Sequence, residues 1–320
     1  MKFTWKKTGH GLTDNLGNQM QKIVRSMNQN RIGTRRRYIE AEKRFIKYVA
    51  KEFKLQKLAN VKDKHLESYV SYMKENGSSD KYIKNELSAI RFFHNHTPDT
   101  KYELKDSTVF NKEVGLGSTP DVKDIDRAWE EREINAMKDI ANELGRQEIA
   151  DIIEVMRATG CRIDEACTLR DSDLRNALSE GKLHLTNTKG GVPRDVPLTN
   201  RAREIFERKL TEIGRGEYAF TPRAYVNSHT IHKFEKSVQN FIYNHRDKVQ
   251  VEDRAYSGHN VNPGGKGALT AHGLRHAFAR EQYFKLREEG LSKEQARKEV
   301  SKMLGHHRAE ITKVYLGGLE

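Results

Sequence analysis

The chain has 320 residues, a net charge of +13, 32% charged residues and a mean hydropathy of −0.85. That balance excludes a chain threaded through a bilayer by helices, because no apolar run approaches the roughly 20 residues a span requires. The length allows two hydrophobic cores. Two cysteines, Cys161 and Cys167, are too few for a thiolate zinc site and fit a reducing compartment. The first residues, MKFTWKKTGHGLTDNLG, lack the apolar centre of a secretory signal, so the cytoplasm is the expected location and no membrane partner is expected.

The basic excess is uneven. Residues 1–117 hold 24 Lys+Arg against 13 Asp+Glu, whereas the other 203 residues hold 34 against 32. A basic N-terminal portion beside a nearly neutral larger one points to a nucleic-acid-binding module joined to something else.

In chain order, residues 1–30 read as an arm that is irregular or partly helical, with Gly9, Gly11 and Gly17 interrupting the pattern and MQKIVRSM offering one short helix. The first long helix is expected from Thr34 as N-cap, with Tyr38, Ala41, Phe45, Tyr48, Val49 and Phe53 forming an apolar stripe. Arg35, Arg36 and Arg37 fall in its first turn, where the helix dipole disfavours cations. They are either a solvated charged turn or a phosphate contact. LESYVSYMKENG and SSDKYIKNELSAIRFFHNH predict two further helices, the second offering Lys81, Lys84 and Arg91 as further DNA contacts. Together residues 31–110 predict a small helical domain. Residues 111–127, with Gly115, Gly117 and Pro120, predict a linker.

From residue 128 to 320 the pattern changes. AWEEREINAMKDIANELG and QEIADIIEVMRATG predict two helices, the second apolar enough to be buried. KLHLTNTKGGVPRDVPL predicts a hairpin turning at Lys-Gly-Gly, followed by helices at NRAREIFERKLTEIG and HTIHKFEKSVQNFIYNH. A glycine-rich loop over 251–268 leads into AHGLRH. The fold class is therefore mainly α with a small antiparallel β-sheet: a helical domain followed by a mixed, α+β domain.

AHGLRH sets His272 and His276 four apart, a spacing open to a metal site, acid–base chemistry, an anion clamp or packing. A metal there would need further ligands, and Arg275 would repel it. Three other stretches stand out: TGCRIDEACTLR (159–170), TKGG (188–191) and LGHHRAEITKVY (304–315). In this order the four resemble the tyrosine recombinases of the phage integrase family. That pattern has an arginine after a helix-ending glycine with an acid three residues on, a hairpin lysine, His-x-x-Arg, Leu-Gly-His, and a tyrosine nine residues after that histidine. Arg162, Glu165, Lys189, His272, Arg275, His306 and Tyr315 fall on those positions. The helical portion is similar to the family's SAM-like core-binding domain in length, helix pattern and position only.

The resemblance implies a DNA recombinase that cuts and rejoins strands at specific sites, without ATP, metal or other cofactor, to integrate or excise a mobile element or prophage. Tyr315 would attack a phosphodiester, leaving a 3′-phosphotyrosine and a 5′-hydroxyl. Arg162 and Arg275 would fork onto the non-bridging oxygens, which gather charge in the transition state. His272 is the natural base or relay for a phenol whose pKa is about 10. The resemblance also implies Lys189 as acid for the departing 5′ oxygen, and His306 as a phosphate donor or a guide for the tyrosine. Glu165 reads as a support for Arg162 or a histidine, Thr312 as a buttress of the tyrosine segment, and His276 as a packing residue. Implied partners are double-stranded DNA gripped in a C-shaped clamp, a tetramer at synapsis formed from monomers, and accessory DNA-bending or directionality proteins, in the nucleoid of a bacterial or phage host.

Three features depart from the pattern. LGGLE after Tyr315 is too short for the helix that many relatives pack on a neighbour, the 251–268 loop is long, and residues 1–30 show no compact fold. Two alternatives share the site or the fold: type IB topoisomerase-like relaxation, and a non-catalytic DNA-binding regulator, which would have lost site residues that are all present here.

Overall fold

The computed structural model describes residues 3–26, 32–117, 125–188, 191–225, 227–254, 265–306 and 310–316. The chain divides into two compact units, residues 1–120 and 121–320.

The first unit contains helices α1 (Gly11–Ser26), α2 (Ile32–Glu52), α3 (Asp63–Glu75), α4 (Asp80–Asn95) and α5 (Ser107–Glu113). Leu16, Met20, Phe45, Ile46, Leu66, Ile83, Phe93 and Phe110 meet in its core. Ser79 caps α4 by accepting from the Tyr82 amide. Arg44 forks onto the buried Glu86, joining α2 to α4 at 2.9 and 2.7 Å.

Three expectations change. The N-terminal arm is more ordered than the one short helix expected: α1 runs for 16 residues, and Phe3 and Trp5 fold back onto it. The glycine that suggested a break is what the packing needs, since a Cβ at Gly17 would lie 2.1 Å from the Trp5 ring. Thr34 is not an N-cap but sits inside α2, which begins at Ile32. The linker expected from residue 111 starts later, because α5 continues to Glu113 and Leu116 still packs in this core.

The second unit is built on α6 (Glu131–Glu143) and α7 (Gln147–Thr159), followed by two short helices, α8 (Ile163–Thr168) and α9 (Asp171–Glu180). Strands β1 (Lys182–Leu185) and β2 (Arg194–Pro197) pair antiparallel with His184 opposite Asp195. Then come α10 (Asn200–Glu212), α11 (Ser228–Val249), α12 (Ala271–Glu288), α13 (Lys293–Met303) and α14 (Glu310–Leu316). α7 is the hub: apart from Glu154, residues 149–159 are buried, with Asp151 paired to Lys209 and Arg157 to Glu131. α12 packs across it. The described ends of the 251–268 loop are fastened by Arg254, which is fully buried. Arg254 forks onto Glu133 at 2.5 and 2.6 Å and donates to the carbonyls of Ala128 and Gly267. Among the described residues no helix is long and apolar enough to cross a membrane.

Candidate active site

The site forms where the end of α7, the start of α12, the turn after α13 and the short helix α14 converge. α7 stops at Gly160 in the left-handed region, φ 62°, ψ 14°. A side chain there would be strained, and its Cβ would lie 2.2 Å from the Phe278 ring. The freed Gly160 carbonyl accepts from Nη1 of Arg275 at 2.6 Å. Nη2 of Arg275 donates to the Leu304 carbonyl, so one guanidinium ties three segments together.

Beyond Gly160 the chain extends through Arg162, which precedes the first turn of α8. Glu165 accepts from the Arg162 amide at 2.7 Å and from Nη1 of Arg162 at 2.9 Å. Arg194, on β2, forks onto the same carboxylate at 2.8 and 2.5 Å. Burial pushes the Glu165 carboxyl up, but Arg194, then Arg162, outweigh it and hold it at about 2. Glu165 is therefore a permanent anion that fixes two arginines.

Arg275 is fully buried, and burial, opposed by Tyr315 and reinforced by the Arg162 and Arg194 charges, lowers its pKa to about 10. It remains a cation near neutral pH. Its Nε has no hydrogen-bond partner among the described residues. His306 follows the turn that ends α13, with its amide donating to the Ser301 carbonyl at 2.9 Å. Burial, then the charges of Arg275, Arg162 and Arg194, pushes it down to about 4, so its imidazole is neutral near pH 7.

Tyr315 lies on α14 and is only 5% exposed. Its Oη is 3.0 Å from Nε2 of His306 and 3.3 Å from Nε2 of His272. The Arg275 guanidinium carbon is 5.8 Å from the Tyr315 ring centroid. Thr312 Oγ1 donates to the Arg297 carbonyl at 3.3 Å, pinning α14 to α13. A phenol between two imidazole nitrogens can donate its proton to one and accept from the other, which the tautomers decide.

Arg162, Glu165, His272, Arg275, His306 and Tyr315 thus gather in this unit. Lys189 lies outside the described residues; on either side of it the Gly191 amide donates to the Thr188 carbonyl at 3.0 Å. In the first unit, Arg36, Arg37 and Lys81 are exposed. Arg35, Lys84 and Arg91 each donate to a carbonyl of the unit, those of Val24, Gly117 and Lys105.

One residue of the site, Arg194, was not read from the sequence. Arg194 occupies an inward position of β2, whose residues alternate buried and exposed. An arginine on the apolar face of a hairpin is the signal that was there to be read. His276, 1% exposed, packs as expected: its ring stacks on Tyr315 with centroids 4.3 Å apart and planes 28° apart. Burial holds it well below the ordinary histidine range.

A helical unit followed by an α+β unit, with two arginines, two histidines and a tyrosine brought together, defines a tyrosine recombinase, an enzyme of DNA strand breakage and rejoining. Residues 127–318 match the phage integrase family, and residues 17–104 match the phage integrase N-terminal SAM-like domain. The chain belongs to the phage integrase family. Its relatives include tyrosine recombinase XerD of Staphylococcus saprophyticus, 24% identical over 301 residues, covering 92% of this chain and 89% of that protein. Tyrosine recombinase XerC of Bacillus pumilus is 26% identical, covering 77% and 73%. Similar folds are a lambda integrase dimer bound to a COC′ core site (TM-score 0.61, 17% identity, 94% and 95% covered) and the Tn1549 transposon integrase with transposon right-end DNA (TM-score 0.57, 16%, 93% of each).

Proposed function

We propose that this recombinase breaks and rejoins DNA through Tyr315, acting within its own protomer. The observation that carries the reading is the placement of the Tyr315 hydroxyl between His306 and His272 of the same chain, beside the buried Arg275. The Oη–phosphorus bond forms as the bond from phosphorus to the 5′ oxygen breaks. The phenolic proton passes to His272, and Lys189 supplies the proton that the 5′ oxygen takes. Arg162 and Arg275 neutralise the charge that grows on the non-bridging oxygens, and His306 steers the tyrosine and donates to phosphate. The energy of the broken bond stays in the 3′-phosphotyrosine, so rejoining needs no ATP.

The substrate is duplex DNA at specific sites, and the element moved is a prophage or other mobile element. The basic first unit supports this, with Arg36, Arg37 and Lys81 as its contacts, most of them to phosphate. Protomers that are monomeric in solution assemble as a tetramer at synapsis. Crystals of lambda integrase hold such a tetramer on a Holliday junction. Accessory DNA-bending or directionality proteins complete the assembly, in the nucleoid. Similarity to Xer recombinases over most of the chain favours recombination over topoisomerase-like relaxation.

The test is a nicked suicide DNA site, which traps the covalent step. The full chain is expected to form an SDS-resistant protein–DNA adduct and to join two sites in one synapse. Efficient relaxation of supercoils by dilute monomer, with no joining of two sites, would assign the topoisomerase function instead.

A further inference from the structure

Arg194 opens β2 with its side chain turned to the buried side and only 4% exposed. Its guanidinium bonds are all internal. Nη1 and Nη2 reach the two oxygens of Glu165, and Nε donates to the Met303 carbonyl at 2.9 Å. These partners lie 29 and 109 residues away in sequence. The turn before His306 closes over the same side chain, since a Cβ at Gly305 would lie 2.9 Å from Cδ of Arg194. One side chain therefore joins the first turn of α8, the hairpin and the turn that delivers His306.

The consequence concerns Arg162. Its Nη1 shares the Oε1 atom of Glu165 with Nη1 of Arg194. Glu165 can hold Arg162 in one orientation only while Arg194 holds Glu165. Arg194 itself does not face DNA, because its bonds are made inside the protein.

We propose that Arg194 is a positioning residue, which locks Glu165 so that Arg162 stays aimed, and which ties that aim to the His306 turn and the hairpin. The proposal rests on the roles given to Arg162 and His306 under the proposed function. Lysine would keep the charge and lose the fork.

The test compares the wild-type chain with Arg194→Lys and with the double variant Arg194→Met/Glu165→Gln, which removes both buried charges together and so keeps a foldable comparison. Melting, DNA affinity and the single-turnover rate of adduct formation on saturating suicide DNA are measured across about pH 5–8. Both variants are expected to fold and bind DNA as the wild type does, but to form the adduct about 10- to 100-fold more slowly, as expected for a misaimed transition-state group. A folded, DNA-saturated variant that reacts at the wild-type rate overturns the proposal. A reading without DNA keeps the two claims separate. The Arg162 guanidinium NMR signal should change its line width in Arg194→Lys, and an unchanged signal overturns the tie even where the wild type forms no adduct.

Discussion

The hydroxyl of Tyr315 sits 3.0 Å from Nε2 of His306, nine residues earlier in sequence, and the short helix α14 carries the tyrosine. The pair joins the last two elements of the chain to the arginines set by the end of α7 and the start of α12.

Arg162→Lys should keep the fold and DNA affinity but lower the rate of strand cleavage by roughly 10²–10³, because a lysine cannot fork onto two phosphate oxygens. Binding measured by gel shift and cleavage measured on the same suicide site separate the two effects. Weakened binding with cleavage intact at saturation would assign Arg162 to affinity rather than chemistry.

Glu165 links acidity to stability. Its pKa is held at about 2, below its ordinary 4.5, so its contribution is fully present above the ordinary value and is lost as pH falls toward 2. Glu165→Gln leaves two arginines without their carboxylate and should cost about 3–5 kcal/mol near neutrality, as breaking a buried pair does. The gap between variant and wild type should narrow as pH drops below 4.5. A gap that stays constant down to acid unfolding would contradict the pairing.

Glu42 makes the opposite prediction. It is 2% exposed in the core of the first unit, its Oε2 has no partner among the described residues, and burial raises its pKa well above 4.5. The folded state holds the proton, so stability is greatest at and below 4.5 and declines as pH rises toward the folded value. Glu42→Met should raise stability at pH 7 by about 1–3 kcal/mol, the usual cost of an unsatisfied buried polar group. The gain should shrink toward pH 4.5 in thermal melts.

Gly17→Ala sets packing against propensity. Alanine favours a helix over glycine by about 1 kcal/mol. Here its methyl would enter the Trp5 ring, and displacing the ring should cost about 1–3 kcal/mol. A lower melting temperature with red-shifted tryptophan emission is expected. A stabilised variant would place Trp5 elsewhere.

These cases also show what the residues announce and what they conceal. Helices α3, α4, α6, α7 and α10 declare themselves by apolar period, and α7 also by the glycine that ends it, Gly160. The hairpin declares itself by alternation. Arg162, Glu165, His272, Arg275, His306 and Tyr315 were legible through order and spacing, although no single stretch sufficed. α1 was hidden because a glycine that breaks an isolated helix is required under a tryptophan. α8 and α9 are too short to show a period. Arg194 was hidden because its partners, Glu165 and Met303, are brought in by tertiary folding from distant sequence. Thr34 misled because cap propensity is a weak local preference, overridden once α2 begins two residues earlier.

The central claim is that Tyr315 is the nucleophile. The direct measurement is the SDS-resistant adduct formed on a suicide DNA site by the wild type and by Tyr315→Phe, with the cross-linked peptide identified by mass spectrometry. The wild type should give an adduct whose DNA is attached at Tyr315, and the phenylalanine variant none despite unchanged DNA binding. An adduct of equal yield from Tyr315→Phe, or one mapped to another tyrosine, would contradict it.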